Sequence, residues 1–144
     1  MFEEYIKTNE IVFKHAKGMR DIIGKEFHTF HEIFLLIGNT AKFTSDHLME
    51  QITPYSLVLI PKEQFHQFDP IGEEKEYHRY VFKFDAVSSL ETLIQQVMTQ
   101  VKIIRNPNPE TIELFQKLAA THTDYMSREN KEILLNAVFS QILL

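Results

Sequence analysis

Up to Asp85, short apolar runs rich in β-branched and aromatic residues alternate with turn signals. The pattern predicts strands over residues 10–14, 20–23, 27–37, 41–44, 56–60 and 77–84. Gly38-Asn39, Thr53-Pro54, Asp69-Pro70 and Ile71-Gly72 punctuate them. Several short strands with frequent turns predict a mainly β fold, a sandwich or small barrel. In residues 77–84, His78, Tyr80, Phe82 and Phe84 share one face, and Tyr77, Arg79, Val81 and Lys83 the other. The two charges on the second face predict that the first looks inward.

Beyond Asp85 the apolar period becomes helical. Ser88 stands three residues before Glu91, a capping-box spacing. Leu90, Leu93, Ile94, Val97, Met98 and Val101 follow at helical intervals. Asn108-Pro109-Glu110 predicts a second helix start, with Asn as cap, Pro in the first turn and Glu complementing the dipole. Ser127 caps a predicted third helix. Its apolar stripe is Ile133, Leu134, Ala137, Val138 and Ile142, widened by Leu135 and Phe139, and is the expected dimerisation surface. The sequence stops at Ile142-Leu143-Leu144 without the Gly, Asn or Lys that commonly ends a helix, so the expectation is either truncation of a longer chain, the favoured reading, or a helix that completes its burial against a partner. The expected organisation is a β part over residues 1–85 and a helical part over residues 86–144, packed on it as one structural unit.

Composition narrows the chemistry. Hydrophobic residues make up 44% of the 144, which favours a folded domain over disorder. With no cysteine, disulfides, a cysteine nucleophile, thiolate zinc sites and iron–sulfur clusters are excluded, and a cytoplasmic location is expected. No apolar stretch reaches the roughly 18–20 residues of a membrane span, and the acidic N-terminus is unlike a signal peptide. The net charge is −5 with no basic stripe, which argues against nucleic-acid binding by this segment alone. Four scattered glycines leave no phosphate-binding loop, and no Gly-x-Ser-x-Gly elbow is present.

Polar residues set into apolar runs mark the candidate site. On a continuous strand Glu26, His28, Phe30 and Glu32 have one parity. His28 and Glu32 would then face one space, joined by His66 from a neighbouring strand end. Imidazole and carboxylate can hold zinc or iron, bind a polar organic ligand, or serve structurally through backbone partners; the residues alone leave all three open. His78 and Tyr80 are further candidates, because buried ring nitrogens and phenol hydroxyls need partners. Phe27, Phe34, Phe65 and Phe68 are candidate aromatic walls. His15, His47 and His122 belong to no constellation and are expected at the surface. Glu73-Glu74-Lys75-Glu76 reads as a solvated loop.

Taken together, residues 26–84 resemble the cupin sensor domain of AraC-type transcription regulators. That family typically shows His-x-His, a Glu four residues on that begins an apolar strand, and a closing Gly; here His28, Glu32-Ile33 and Gly38 match. Its Pro-Gly-Asp segment, Leu-Ile-Pro strand and following His are matched by Pro54-Tyr55-Ser56-Leu57-Val58-Leu59-Ile60-Pro61 and His66. Tyr77–Phe84, with Asp85 after it, is similar to the next strand. Glu26 replaces the first His of His-x-His, and Tyr55-Ser56 replace Gly-Asp. The resemblance implies a cupin-like β-barrel or jelly roll followed by two or three α-helices, with residues 1–85 as an N-terminal arm and the cupin β-barrel and residues 86–144 as a dimerisation and linker segment. It implies a small-molecule effector held by Glu26, His28, Glu32, His66, His78 and Tyr80, with no cofactor and no catalysis. It also implies a homodimer through the C-terminal helices, and DNA contact only through a helix-turn-helix pair absent from these residues. The alternative is a metal-dependent cupin enzyme with iron, manganese or zinc on Glu26, His28, Glu32 and His66.

Overall fold

The computed structural model describes residues 1–18, 25–121 and 125–144. Elements are numbered in chain order. The strands are β1 (Phe2–Lys7), β2 (Ile11–Lys17), β3 (Glu26–Phe27), β4 (His31–Gly38), β5 (Thr40–Ser45), β6 (Met49–Ile52), β7 (Leu57–Ile60), β8 (Phe65–Ile71), β9 (His78–Phe84) and β10 (Lys102–Ile104). The helices are α1 (Glu91–Val97), α2 (Pro109–Ala120) and α3 (Arg128–Leu143). Among the described residues the strands form two antiparallel sheets, a larger one in the order β1-β2-β9-β4-β7-β10 and a smaller one in the order β3-β8-β5-β6. The fold is mainly β with helices behind it. The predicted strand over residues 20–23 lies outside the described residues.

Two cores explain why some strands are apolar throughout. Phe34, Leu36, Val58, Ile60 and Val81 of the larger sheet meet Ala41, Phe43, Ile52 and Phe68 of the smaller one. On the larger sheet's other face, Phe13, Ile33, Leu35, Phe82 and Phe84 meet Ile94, Phe115, Leu118, Leu135 and Phe139 of the helices. β4 and β7 are therefore buried on both sides, and so read as continuous apolar runs rather than alternating ones.

This arrangement corrects the expected facing of residues 77–84. His78, Tyr80, Phe82 and Phe84 face the helices, where Phe82 and Phe84 pack against Phe139 at ring separations of 5.4 and 4.6 Å. The face with Arg79 and Lys83 is the one that looks between the sheets.

Other differences have local causes. β8 runs through Asp69-Pro70, a predicted turn. Among the described residues β3 pairs only with Phe65 and His66, so β8 is an edge beyond them, where a proline's missing N–H removes no ladder bond. Ser88 does not cap α1: its N–H and hydroxyl both donate to the Glu10 carboxylate, at 2.7 and 2.8 Å. The helix stops at Val97, and β10 extends the larger sheet instead. Asn108 and Ser127 do cap their helices, accepting from the N–H groups of Glu110 and Asn130. Gly38 is required by space, since a Cβ there would lie 2.8 Å from the Glu76 carbonyl oxygen.

In α3, Leu135, Phe139 and Leu143 are buried on the sheet, whereas Ile133 is 61% exposed. Phe139→Ala is therefore expected to lower the unfolding free energy by about 3–5 kcal/mol, and Ile133→Glu, at a protein concentration too dilute for self-association, to leave it within about 0.5 kcal/mol. Urea unfolding of the two variants checks this difference.

Candidate functional site

The site begins with the short β3–β8 pairing, whose register sets Glu26 opposite His66. The chain then leaves the sheet over His28, Thr29 and Phe30, so the strand expected over residues 27–37 is split in two. Two hydrogen bonds fix the break: the Glu63 N–H donates to the His28 carbonyl at 2.7 Å, and the Lys62 N–H donates to His31 Nδ1 at 3.0 Å. Glu32 re-enters on β4 with the parity of Phe34 and Leu36, and so points between the sheets.

Glu26, His28, Glu32 and His66 converge there. His28 Nε2 lies 3.3 Å from Glu32 Oε1 and 3.8 Å from Glu26 Oε2. His66 Nε2 lies 3.4 Å from Glu26 Oε2 and 3.6 Å from Glu32 Oε2. Side-chain exposure falls from 57% at Glu26 to 22% at His28, 6% at Glu32 and 1% at His66, so the cluster runs from the surface into the interior. His28 stacks on Phe30 at 4.4 Å.

These separations exceed the usual 2.7–3.2 Å of a hydrogen bond. They are close to the roughly 3.0–3.4 Å between neighbouring ligand atoms that bond a central ion at about 2.1 Å. His66 Nε2 is buried with no hydrogen-bond partner among the described residues. Glu26, His28 and His66 each offer a ligand atom within 4.8 Å of the others. The donor set of two imidazoles and two carboxylates suits zinc, iron or manganese. It equally suits the hydroxyl or amino groups of an organic ligand.

Charge couples the cluster. Burial acts to lower the pKa of His66, but the neighbouring carboxylates of Glu26 and Glu32 outweigh it and the net shift is upward. The adjacent His66 ring in turn lowers the pKa of Glu26, against the opposing effect of burial.

The structure separates His78 and Tyr80 from this cluster, correcting their expected place in the pocket. Tyr80 stacks between Phe13 and Phe115 on the helix side. His78 Nε2 lies 2.7 Å from His15 Nε2, so His15 is half-buried in a histidine pair rather than free at the surface. Burial, then the charges of His15, Lys17 and Arg79, push the pKa of His78 down to about 4. His47 is exposed as expected, and His122 lies outside the described residues. Of the expected aromatic walls, Phe34 and Phe68 stack at 4.0 Å between the sheets, while Phe27 and Phe65 pair on the exposed side of β3 and β8. Lys14, Arg79 and Lys83 are interior-facing groups that the sequence pattern does not single out; for Arg79 and Lys83 the available signal is their parity with Val81 on β9, and for Lys14 its parity with Ala16 on β2.

Apo ToxT from Vibrio cholerae strain SCE256 superposes with a TM-score of 0.59 at 13% identity, covering 94% of this chain and 56% of that one. The cupin domain of Schizosaccharomyces pombe Cnp3 gives a TM-score of 0.50 at 10% identity, covering 63% of each chain. The fold is a cupin-type barrel. The chain spans little more than half the length of ToxT. No family model matches the sequence, and no curated protein matches it.

The coupling of His66 and Glu26 fixes a sign for pH dependence. The folded state holds the His66 proton more tightly than the unfolded state, so that stabilisation is full below pH 6.5 and fades as pH rises through the folded value. Glu26 is the reverse: its contribution is present above pH 4.5 and is lost as pH falls through its lowered folded value. The pair thus favours folding most between these two pH values. Glu26→Gln is expected to lower the His66 pKa in an NMR titration and to flatten the stability profile from pH 5.5 to 8.

Proposed function

We propose that this chain is the ligand-sensing and dimerisation domain of an AraC-type transcription regulator, with a small-molecule effector bound over Glu26, His28, Glu32 and His66. The observation that carries the reading is this inward-facing polar cluster, set in a cupin-type barrel that has helices packed against its wall. Motif order along the sequence supports the family. The ToxT superposition, which extends over 94% of the chain, supports the barrel-plus-helices arrangement. ToxT from Vibrio cholerae O395, similar at a TM-score of 0.51 and 11% identity over 90% of this chain, is known bound to (E)-4-(8-methylnaphthalen-1-yl)but-3-enoic acid, a small organic acid.

The reading is of a cytoplasmic binding domain rather than an enzyme. β4 offers a route for the signal. Glu32 points into the barrel, while its neighbour Ile33 packs in the core shared with the helices. A ligand that prefers one setting of β4 shifts the population of helix positions by as much as its affinities for the two settings differ. The helices then pass the shift to a DNA-binding domain outside this chain. The exposed side of α3 around Ile133 and Ala137 is the proposed dimer contact. Sedimentation at high micromolar concentration is expected to show a dimer that Ile133→Glu dissolves; a wild-type monomer would remove this part of the reading.

A second reading has one specific observation behind it: the ligand-atom spacing of the cluster and the unpartnered Nε2 of His66. Glu26, His28, Glu32 and His66 would hold a divalent ion, which would supply Lewis-acid chemistry. A thermal-shift screen with sugars, amino acids and aromatic acids, run beside zinc, manganese and iron, separates the readings. The effector reading expects an organic ligand to raise the melting temperature, by roughly 2.7 kcal/mol of stability at one hundred times its Kd. It also expects purified protein to lack stoichiometric metal. A stoichiometric metal lost in His66→Ala favours the metal reading instead.

A further inference from the structure

Three cations line the same space as the cluster. Lys14 on β2 and Arg79 and Lys83 on β9 alternate with the residues that pack on the helices, so all three face between the sheets. Lys83 is the register partner of Glu32 on β4, and Lys14 that of Val81 on β9. Lys83 Nζ lies 5.6 Å from the centre of the Phe30 ring, the ring that also stacks on His28. The cationic row therefore runs directly into the imidazole and carboxylate cluster. Neighbouring strands lie about 4.8 Å apart, which sets β2 about 10 Å from β4, the length of a small organic molecule.

The cations differ in how they are held. Arg79 is fixed: its Nη1 donates to the carbonyls of Gly18 and Tyr77 at 2.6 and 3.0 Å, and its guanidinium lies 4.2 Å from the Tyr77 ring centre. Among the described residues Lys14 has only a long ion pair, 3.8 Å from Glu3 Oε1, although its side chain is 16% exposed. Burial first, then the charges of Lys83 and Arg79, bring its pKa from 10.5 down to about 8, and Glu3 and Glu32 do not make up the deficit. A buried cation in this condition is stabilised by an added anion.

We propose that Lys14 and Lys83, backed by the fixed charge of Arg79, are the anion-binding half of the barrel pocket, and that its ligand is a small hydroxy or amino acid. The carboxylate sits between the two lysines, and the hydroxyl or amino groups reach Glu26, Glu32 and the imidazoles. The inference rests on the effector reading and narrows it to one ligand class, because a neutral sugar offers Lys14 no counter-charge.

Calorimetry and thermal shift on the chain, Lys14→Met and Lys14→Arg test this with hydroxy and amino acids of three to six carbons and their amides. At least one acid is expected to raise the melting temperature where its amide does not. Lys14→Met is expected to weaken the Kd for that acid by about tenfold or more, and Lys14→Arg to retain most of the affinity. Unliganded Lys14→Met is expected to melt no lower than wild type, which shows that it folds. An amide that binds as well as its acid, or a Lys14→Met Kd within twofold of wild type, overturns the inference. If amides or neutral sugars bind and acids do not, the effector reading stands and the anion half falls. If no compound of any series shifts the melting temperature, both fall.

Discussion

The larger sheet is buried on both faces, and the rest of the structure follows from that constraint. One face closes the barrel against the smaller sheet, and the other carries all three helices. Every residue of β4 and β9 must therefore suit one of two enclosed spaces. The helix side is filled by packed aromatic rings: Phe13, Phe82, Phe84, Phe115 and Phe139. The barrel side is mixed, with the Phe68 ring in contact with those of Phe34 and Phe43 and Glu32, His66 and Arg79 buried on the same side. Polar groups in such a space need partners or a purpose, because burying them alone costs several kcal/mol.

The energetics of the cluster favour a purpose. Contacts of 3.3–3.8 Å between imidazoles and carboxylates give charge attraction without well-aligned hydrogen bonds, and buried ion pairs of this kind add little net stability. The same holds for Lys14, which is less stable as a cation in the fold than in water. Acidic groups with imidazoles at one end and cations at the other make a poor core, and suit the proposed ligand, a carboxylate joined to hydroxyl or amino groups.

Much of this is legible in the sequence, and what is not has a common physical origin. The site residues 26, 28, 32 and 66 could be read because polar side chains interrupt apolar runs there, and two of the three helix caps because capping chemistry is local. The facing of residues 77–84 is not legible, because charge ordinarily marks solvent, whereas Arg79 and Lys83 face the barrel. Four strands escaped detection. In β1 only Ile6 is buried, and β6 likewise buries only Ile52. β8 contains a proline tolerated at an edge, and β10 has only three residues. Their existence is decided by neighbouring strands, which local pattern does not report.

On the proposed reading, the buried Glu32 and His66 serve binding and not folding. Urea unfolding of the double variant Glu32→Leu/His66→Leu, at a pH near 7 and without ligand, tests it most directly. The double variant is expected to have an unfolding free energy equal to or above that of wild type, since well-packed apolar residues replace a buried charged pair without penalty. A loss of about 3–5 kcal/mol, as expected when a needed buried pair is broken, would contradict it.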